Sequence, residues 1–165
     1  MTLQSRRLRR CPRVDPSDLV VADGLDLSRW DYGLAGQSHG WGDDAPGERT
    51  DPIEGSKIEA AGHQMDTQLV QNDARALSFN GLGNAAVLAA IRGGRHVAPA
   101  FAGDTVYCWS EVLEKAELPG RTNLGALRVR SAAKDTPCDA YPDAGTTVLQ
   151  EPDAWVLMPR RGQPA

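Results

Sequence analysis

Between Ala76 and Ile91 the chain runs through small apolar residues, Ala-Leu-Ser-Phe-Asn-Gly-Leu-Gly-Asn-Ala-Ala-Val-Leu-Ala-Ala-Ile, and strand-like sequence follows. Taken as a helix, this stretch is thin. Gly81, Gly83 and the alanines add little bulk, so a sheet can wrap closely around it, at a cost of ~1 kcal/mol for each interior glycine. The turn Ala102-Gly103-Asp104 then leads into Thr105 to Leu113, where Val106, Cys108 and Val112 share one face. Leu127, Val129 and Ser131 alternate with Arg128 and Arg130, the pattern of a half-buried antiparallel strand. Val148 and Leu149, then Trp155 to Met158, predict a last strand or two, with Pro152 marking a break or an edge.

Ahead of the thin segment, Ser56 to Ala76 has the marks of a helix. Ser56 suits an N-cap with Glu59 completing a capping box, and Ile58, Ala61, Met65 and Leu69 form an apolar stripe. Helices followed by consecutive strands predict an α+β fold, a central helix over Ala76–Ile91 cradled by an antiparallel sheet from Arg95 onward. At 165 residues one domain is expected. Residues 1–29, polar and broken by Pro12 and Pro16, are expected to form an arm or linker, 30–160 the domain, and 161–165 a tail. Trp30-Asp-Tyr-Gly-Leu-Ala-Gly36 offers aromatics for a core or a partner, and 37–51 is loop.

A net charge of −4 gives no electrostatic case for nucleic acid as a partner. No apolar run reaches the ~18 residues of a membrane span, and no apolar segment follows the N-terminal arginines as a secretory signal requires. Cys11, Cys108 and Cys138 are odd in number and widely spaced, which suggests free thiols in a reducing cytoplasm, with neither a disulfide framework nor a zinc site.

The segment Gly93-Gly-Arg-His-Val-Ala-Pro-Ala-Phe-Ala-Gly-Asp-Thr-Val-Tyr-Cys-Trp-Ser-Glu-Val-Leu-Glu114, with its Pro-x-x-x-Gly-Asp-Thr and closing Glu-Val-Leu-Glu, resembles the MaoC-like acyl-CoA dehydratase/hydratase family, which has the hotdog fold. Residues 76–132 look like the C-terminal half of the β-methylmalyl-CoA dehydratase (mesaconyl-CoA hydratase) group. The resemblance covers 30–160 with an internal gap and is strong over 82–132. It implies an incomplete hotdog fold, an acyl-CoA thioester as ligand, and reversible hydration of an enoyl-CoA such as mesaconyl-CoA, with no metal or other cofactor. It further implies a homodimer or a second hotdog chain as partner, since hotdog cores commonly dimerise edge to edge.

Such hydration needs a carboxylate/imidazole pair for the water's protons and backbone N–H groups for the developing enolate oxygen. In the resembled family the pair lies on a segment of the form Asp/Asn-x-x-x-x-His. His63-Gln-Met-Asp-Thr-Gln-Leu-Val-Gln-Asn72 looks like the approach to it, and places Asn72 on the acid/amide position. Leu77 stands where the family has histidine, and the Gly-Gly-His turn that supplies the oxyanion N–H is absent. Asp73, beside Asn72, is the neighbouring carboxylate, so Asn72 and Asp73 are the catalytic candidates, with helix capping as the plainer role for Asp73. Arg95 and His96 fall in the region that borders the acyl-CoA cleft in the family, and Arg121 suits a CoA phosphate; these three are the substrate-binding candidates. Arg128 and Arg130 suit either a phosphate or an exposed strand face. His63 suits a partly exposed or capping role, and His39, in a loop, has no evident partner. A Gly-rich phosphate loop, a Ser/His/Asp order and a CxxC are all absent.

Overall fold

A computed structural model describes residues 14–36, 39–50, 56–57, 81–99, 101, 103–134 and 150–161. They contain the strands β1 (Arg49–Thr50), β2 (Ser56–Lys57), β3 (Val87–His96), β4 (Thr105–Glu117), β5 (Leu124–Lys134) and β6 (Gln150–Pro159). Three short 3-10 turns, Pro16–Asp18, Tyr32–Ala35 and Trp41–Asp43, precede them. The sheet runs β1-β4-β5-β6-β3, with β2 also paired to β4, and every pairing is antiparallel. The expected strands of the second half are therefore present. β4 continues past Leu113 to Glu117, with a bulge between Val112 and Glu114 where it pairs with β5.

β5 lies between β4 and β6, and both of its faces are buried. Leu127 and Val129 join Trp41, Val112, Val156 and Met158 in one cluster. Leu124 and Ala126, on the opposite face by the strand's alternation, join Leu118, Trp155 and Leu157 in another. Arg128 and Arg130 share this second face, and registry decides their partners. Arg128 lies across from Glu114 and Trp155, and Arg130 from Glu111 and Asp153.

In its described part, residues 81–91, the apolar stretch Ala76–Ile91 is not the helix expected from its composition. Residues 81–84 form a turn, with Gly81 at φ 75°, and Val87 to Ile91 belong to β3. A short apolar run is ambiguous between helix and strand by its pattern, and alanine tilts it toward helix. The flank of β6 decides the outcome: β3 pairs along it from Val87 opposite Leu157 to His96 opposite Gln150. Ala86, Val87, Ala89 and Ala90 pack on the Trp155–Leu157 cluster. Ser56 is likewise no helix N-cap, because Ser56 and Lys57 pair with Val106 and Thr105 of β4. Residues 58–76 of the expected first helix, residues 76–80 of the expected central helix, and Val148–Leu149 lie outside the described residues.

Residues 14–29, the described part of the expected polar arm, pack against the sheet together with Trp30. Leu19 and Leu27 are buried against Leu124, Ala126 and Trp155, with Val14, Val21, Leu25 and Trp30 around them. Arg121 fastens this segment, its two terminal guanidinium nitrogens donating to the carbonyls of Leu25 and Ala22 at 3.1 Å each. These apolar residues are scattered among polar ones without a period, so burial is not written in their pattern.

Pro152 does not mark an edge, since β6 is flanked by β5 and β3, but it does mark an interruption of the β5 ladder. It faces Gly94 across the β3 ladder, while the β5 ladder passes from Asp153 directly to Gln150. The missing N–H of proline thus costs no ladder bond on that side.

Candidate functional site

Gly40 opens the turn at Trp41–Asp43, its N–H donating to Asp43 Oδ2 at 2.8 Å. A Cβ at Gly40 would meet Tyr32 Cε1 at 2.6 Å, so the close approach of the ring requires glycine here. The turn drives Trp41 onto the sheet, where its indole N–H donates to the carbonyl of Ala126 at 3.2 Å. The neighbouring Gly125 lacks the Cβ that would stand 2.4 Å from Trp41 Nε1.

Asp44 leaves this turn with a buried carboxylate. Its Oδ1 lies 3.2 Å from His39 Nε2, the imidazole being 31% exposed against 2% for the Asp44 side chain. Its Oδ2 is buried and has no hydrogen-bond partner among the described residues. Lys115 of β4 closes the corner. Its Nζ donates to the carbonyl of Asp44 at 2.8 Å and lies 4.2 Å from the centre of the Trp41 ring. The buried Asn84 holds the other side. Its amide donates to the carbonyl of His39 at 2.7 Å, and its oxygen accepts from the Trp30 indole at 2.9 Å.

Burial pushes the Asp44 carboxyl from 3.8 up to about 6, and nearby Glu48 adds to the rise, while His39 and Lys115 draw it down. A carboxyl raised on folding stabilises the native state most while protonated in it, and that contribution is lost as the pH climbs through the folded value. Asp44→Asn is therefore expected to raise the melting temperature at about pH 8, worth roughly 1–3 kcal/mol, and to raise it much less at about pH 4.5, where the wild-type group carries its proton. Thermal melts of both proteins at the two pH values make the check. An equal gain at both would contradict this origin.

The residues singled out in the sequence do not gather at one point. Arg95 sits on β3, its Nε donating to Glu151 Oε2 of β6 at 3.0 Å. His96 ends the same strand, opposite Gln150. Arg121 lies just before Leu124, which faces Pro159 at the other end of β6, and its guanidinium is committed to backbone carbonyls. Arg95 and Arg121 are thus held at opposite ends of one strand and cannot grip a single phosphate. Arg128 is bidentate on Asp153, at 2.9 and 2.7 Å, and lies 3.5 Å from Glu114. These carboxylates, Asp153 first, hold its guanidinium pKa above the usual value. Arg130 bonds Glu111. Both arginines are cross-strand partners of carboxylates, as an internal charge ladder requires. Asn72, Asp73, His63 and Leu77 lie outside the described residues.

The His39–Asp44 pair escaped the sequence because nothing in His39-Gly-Trp-Gly-Asp-Asp44 distinguishes Asp44 from Asp43 or Glu48 as the partner. A five-residue spacing between an imidazole and a carboxylate was the available signal. Among the described residues no group of three or more His, Cys, Asp or Glu could hold a metal ion, and no helix is long and apolar enough to cross a membrane.

No protein-family model matches the chain. It is 41% identical over 184 residues to a β-methylmalyl-CoA dehydratase of Chloroflexus aurantiacus, a match taking in 90% of this chain and 52% of that protein. It is 38% identical over 180 residues to a mesaconyl-CoA hydratase of Cereibacter sphaeroides, covering 89% of this chain and 52% of the relative. The chain thus spans about half the length of the curated relatives it matches. The first match, at 184 residues, is longer than the whole chain of 165, so the relative carries residues inside the matched span that this chain lacks. Among solved structures, a MaoC domain protein dehydratase from Chloroflexus aurantiacus superposes with a TM-score of 0.81 at 38% identity, over 90% of this chain and 52% of that one. A Mycobacterium tuberculosis protein with a double hotdog fold superposes at 0.56 and 17% identity, over 76% of this chain and 44% of its own; that likeness is one of fold alone.

Proposed function

Since this chain belongs with the MaoC-like dehydratases of the hotdog fold, we propose that it binds an acyl-CoA thioester and serves the reversible addition of water to an enoyl-CoA such as mesaconyl-CoA. The observation that carries this is the 41% identity to β-methylmalyl-CoA dehydratase across 90% of the chain, supported by the TM-score of 0.81 with the Chloroflexus structure. The chemistry calls for a proton-transfer pair, an oxyanion donor and a cleft for the CoA arm. Asn72 and Asp73 are the candidates from the family segment, and Arg95 and His96 remain candidates for the rim of the cleft. A cytoplasmic setting fits the acyl-CoA substrate and the odd number and wide spacing of Cys11, Cys108 and Cys138.

A second possibility is a non-catalytic hotdog subunit that completes the cleft of another chain, or a degenerate fragment that keeps acyl-CoA binding only. It is favoured by Leu77, which stands where the family has its imidazole. Hydration of crotonyl-CoA and mesaconyl-CoA by the purified chain, followed through loss of the enoyl absorbance, separates the two. Turnover supports the enzyme. Binding without turnover, together with co-purification of a second hotdog chain, supports the subunit.

Either role places the chain in an assembly. β3 ends the path of paired strands, and among the described residues β6 is its one strand neighbour. Leu88 and Ile91 stand exposed along it, Ile91 at 58%. A long apolar edge invites pairing with another chain. A dimer or a complex with a second hotdog chain is expected at micromolar concentration, and light scattering that gives a stable monomer mass would refute it.

A further inference from the structure

His39 and Asp44 form an imidazole–carboxylate pair built with more support than a surface contact receives. His39 Nε2 lies 3.2 Å from Asp44 Oδ1, the carboxylate buried and the ring open to solvent. The two residues are held through their own backbones. Asn84 bonds the carbonyl of His39, and Lys115 bonds the carbonyl of Asp44. The other oxygen of Asp44 is buried with no hydrogen-bond partner among the described residues, which is a cost to the fold. Buried groups kept at such a cost gather where function needs them. A purely structural carboxylate here would be better served by a second donor or by an amide.

With Nε2 turned to the carboxylate, the N–H sits on Nε2 and the basic lone pair on Nδ1. This is how an orienting carboxylate prepares a histidine for proton transfer. We infer that His39 is the proton-transfer group of this chain and Asp44 the positioning residue that fixes its tautomer. The inference rests on the acyl-CoA reading above and supplies the imidazole that the segment from Asn72 to Leu77 lacks. In the hydration direction a water molecule gives one proton to His39 Nδ1 as its oxygen bonds to the β-carbon of the enoyl thioester. The π electrons of the double bond pass to the α-carbon and the thioester oxygen as an enolate. The imidazolium then returns that proton to the α-carbon, so that one water has been added and the ring is neutral again.

Acid should silence the pair. The charged groups around it are Glu48 on the same segment and Lys115 of β4, while Asp43 is engaged by the Gly40 N–H and by Arg161 at 3.6 Å. Asn84 and Trp30 complete its surroundings as neutral groups. Protonation of the Asp44 carboxylate, which its burial favours, removes the charge that orients the ring.

The test follows crotonyl-CoA hydration by the full chain from about pH 5 to about pH 9, beside calorimetric binding of crotonyl-CoA. His39→Gln is expected to lower kcat by on the order of 10²–10⁴ with little change in KM. His39→Ala should regain part of its rate in added imidazole, a response that a merely structural histidine would not give. Asp44→Asn should lower kcat and displace the acid limb of the pH profile. Circular dichroism identifies any variant that has lost its fold, and the imidazole response of the folded ones decides. Full activity in His39→Gln, or no imidazole response in a folded His39→Ala, would overturn the assignment. A wild-type chain that binds crotonyl-CoA without turning it over overturns the pair and leaves the acyl-CoA reading standing. A chain that neither binds nor turns over overturns both.

Discussion

Crotonyl-CoA or mesaconyl-CoA mixed with the purified chain is expected to lose its enoyl absorbance slowly, at a rate on the order of 10²–10³ below that of the curated relatives, because one oxyanion donor is worth that much. The Gly-Gly-His turn that carries this donor in the family is absent from the sequence, and Leu77 cannot move a proton. Asn72 has no group that titrates near neutral pH. If His39 did not transfer the proton, a further deficit on the order of 10²–10⁴ would follow from the missing acid–base group. The assay runs beside the Chloroflexus β-methylmalyl-CoA dehydratase at equal concentration. A rate within about tenfold of that protein would contradict the expectation. Asp73→Ala and His63→Ala would then show whether either residue supplies the chemistry, since its removal would abolish the turnover.

The second large effect is on stability. Trp155→Ala is expected to lower the unfolding free energy by about 3–5 kcal/mol, read as a fall in the urea midpoint. Trp155 is fully buried on β6, between β5 and β3. It lies across from Arg128 on β5 and Ala90 on β3, and it packs in the cluster that holds Leu19 and Leu27 of the N-terminal segment. Its indole N–H is buried without a partner among the described residues. That donor already costs roughly 1–3 kcal/mol, so Trp155→Phe should recover much of what alanine loses by keeping an aromatic ring and discarding the donor. Trp41 offers the contrast, because its N–H is satisfied by Ala126 and phenylalanine there would strand that carbonyl. Equal losses for Trp155→Phe and Trp155→Ala would show that the indole's shape, and not its apolar bulk, is what the site requires.

The strands of the second half were legible because their periods are local. Leu127 and Val129 alternate with Arg128 and Arg130, and a two-residue period survives whatever lies across the sheet. The family resemblance was legible too, carried by the run from Gly93 to Glu114, and the 38–41% identities bear it out. The antiparallel sheet agrees with the hotdog fold that the resemblance implied. Legibility failed where small residues left the pattern ambiguous. Val87 to Ile91 continues an alanine-rich run that favours helix, and the backbone groups offered by β6 make it a strand. It failed as well in the N-terminal segment, whose buried Leu19 and Leu27 depend on a surface made by Leu124, Ala126 and Trp155, far along the chain.

By itself the sequence determined the alternating strands β4 and β5 and the family resemblance, since each is written in contiguous residues. Tertiary structure alone decided which arginines are free to meet a ligand. Arg121 is spent on the carbonyls of Ala22 and Leu25, and Arg128 on Asp153 and Glu114, pairings set by strand registry and chain return. It also decided that His39 has a carboxylate partner. The turn at Trp41 is anchored by Ala126 and Lys115, and their burial of Asp44 turns one of several exposed-looking acids into a buried group beside an imidazole. Desolvation depends on what packs around a residue from elsewhere in the chain, and no local pattern encodes it.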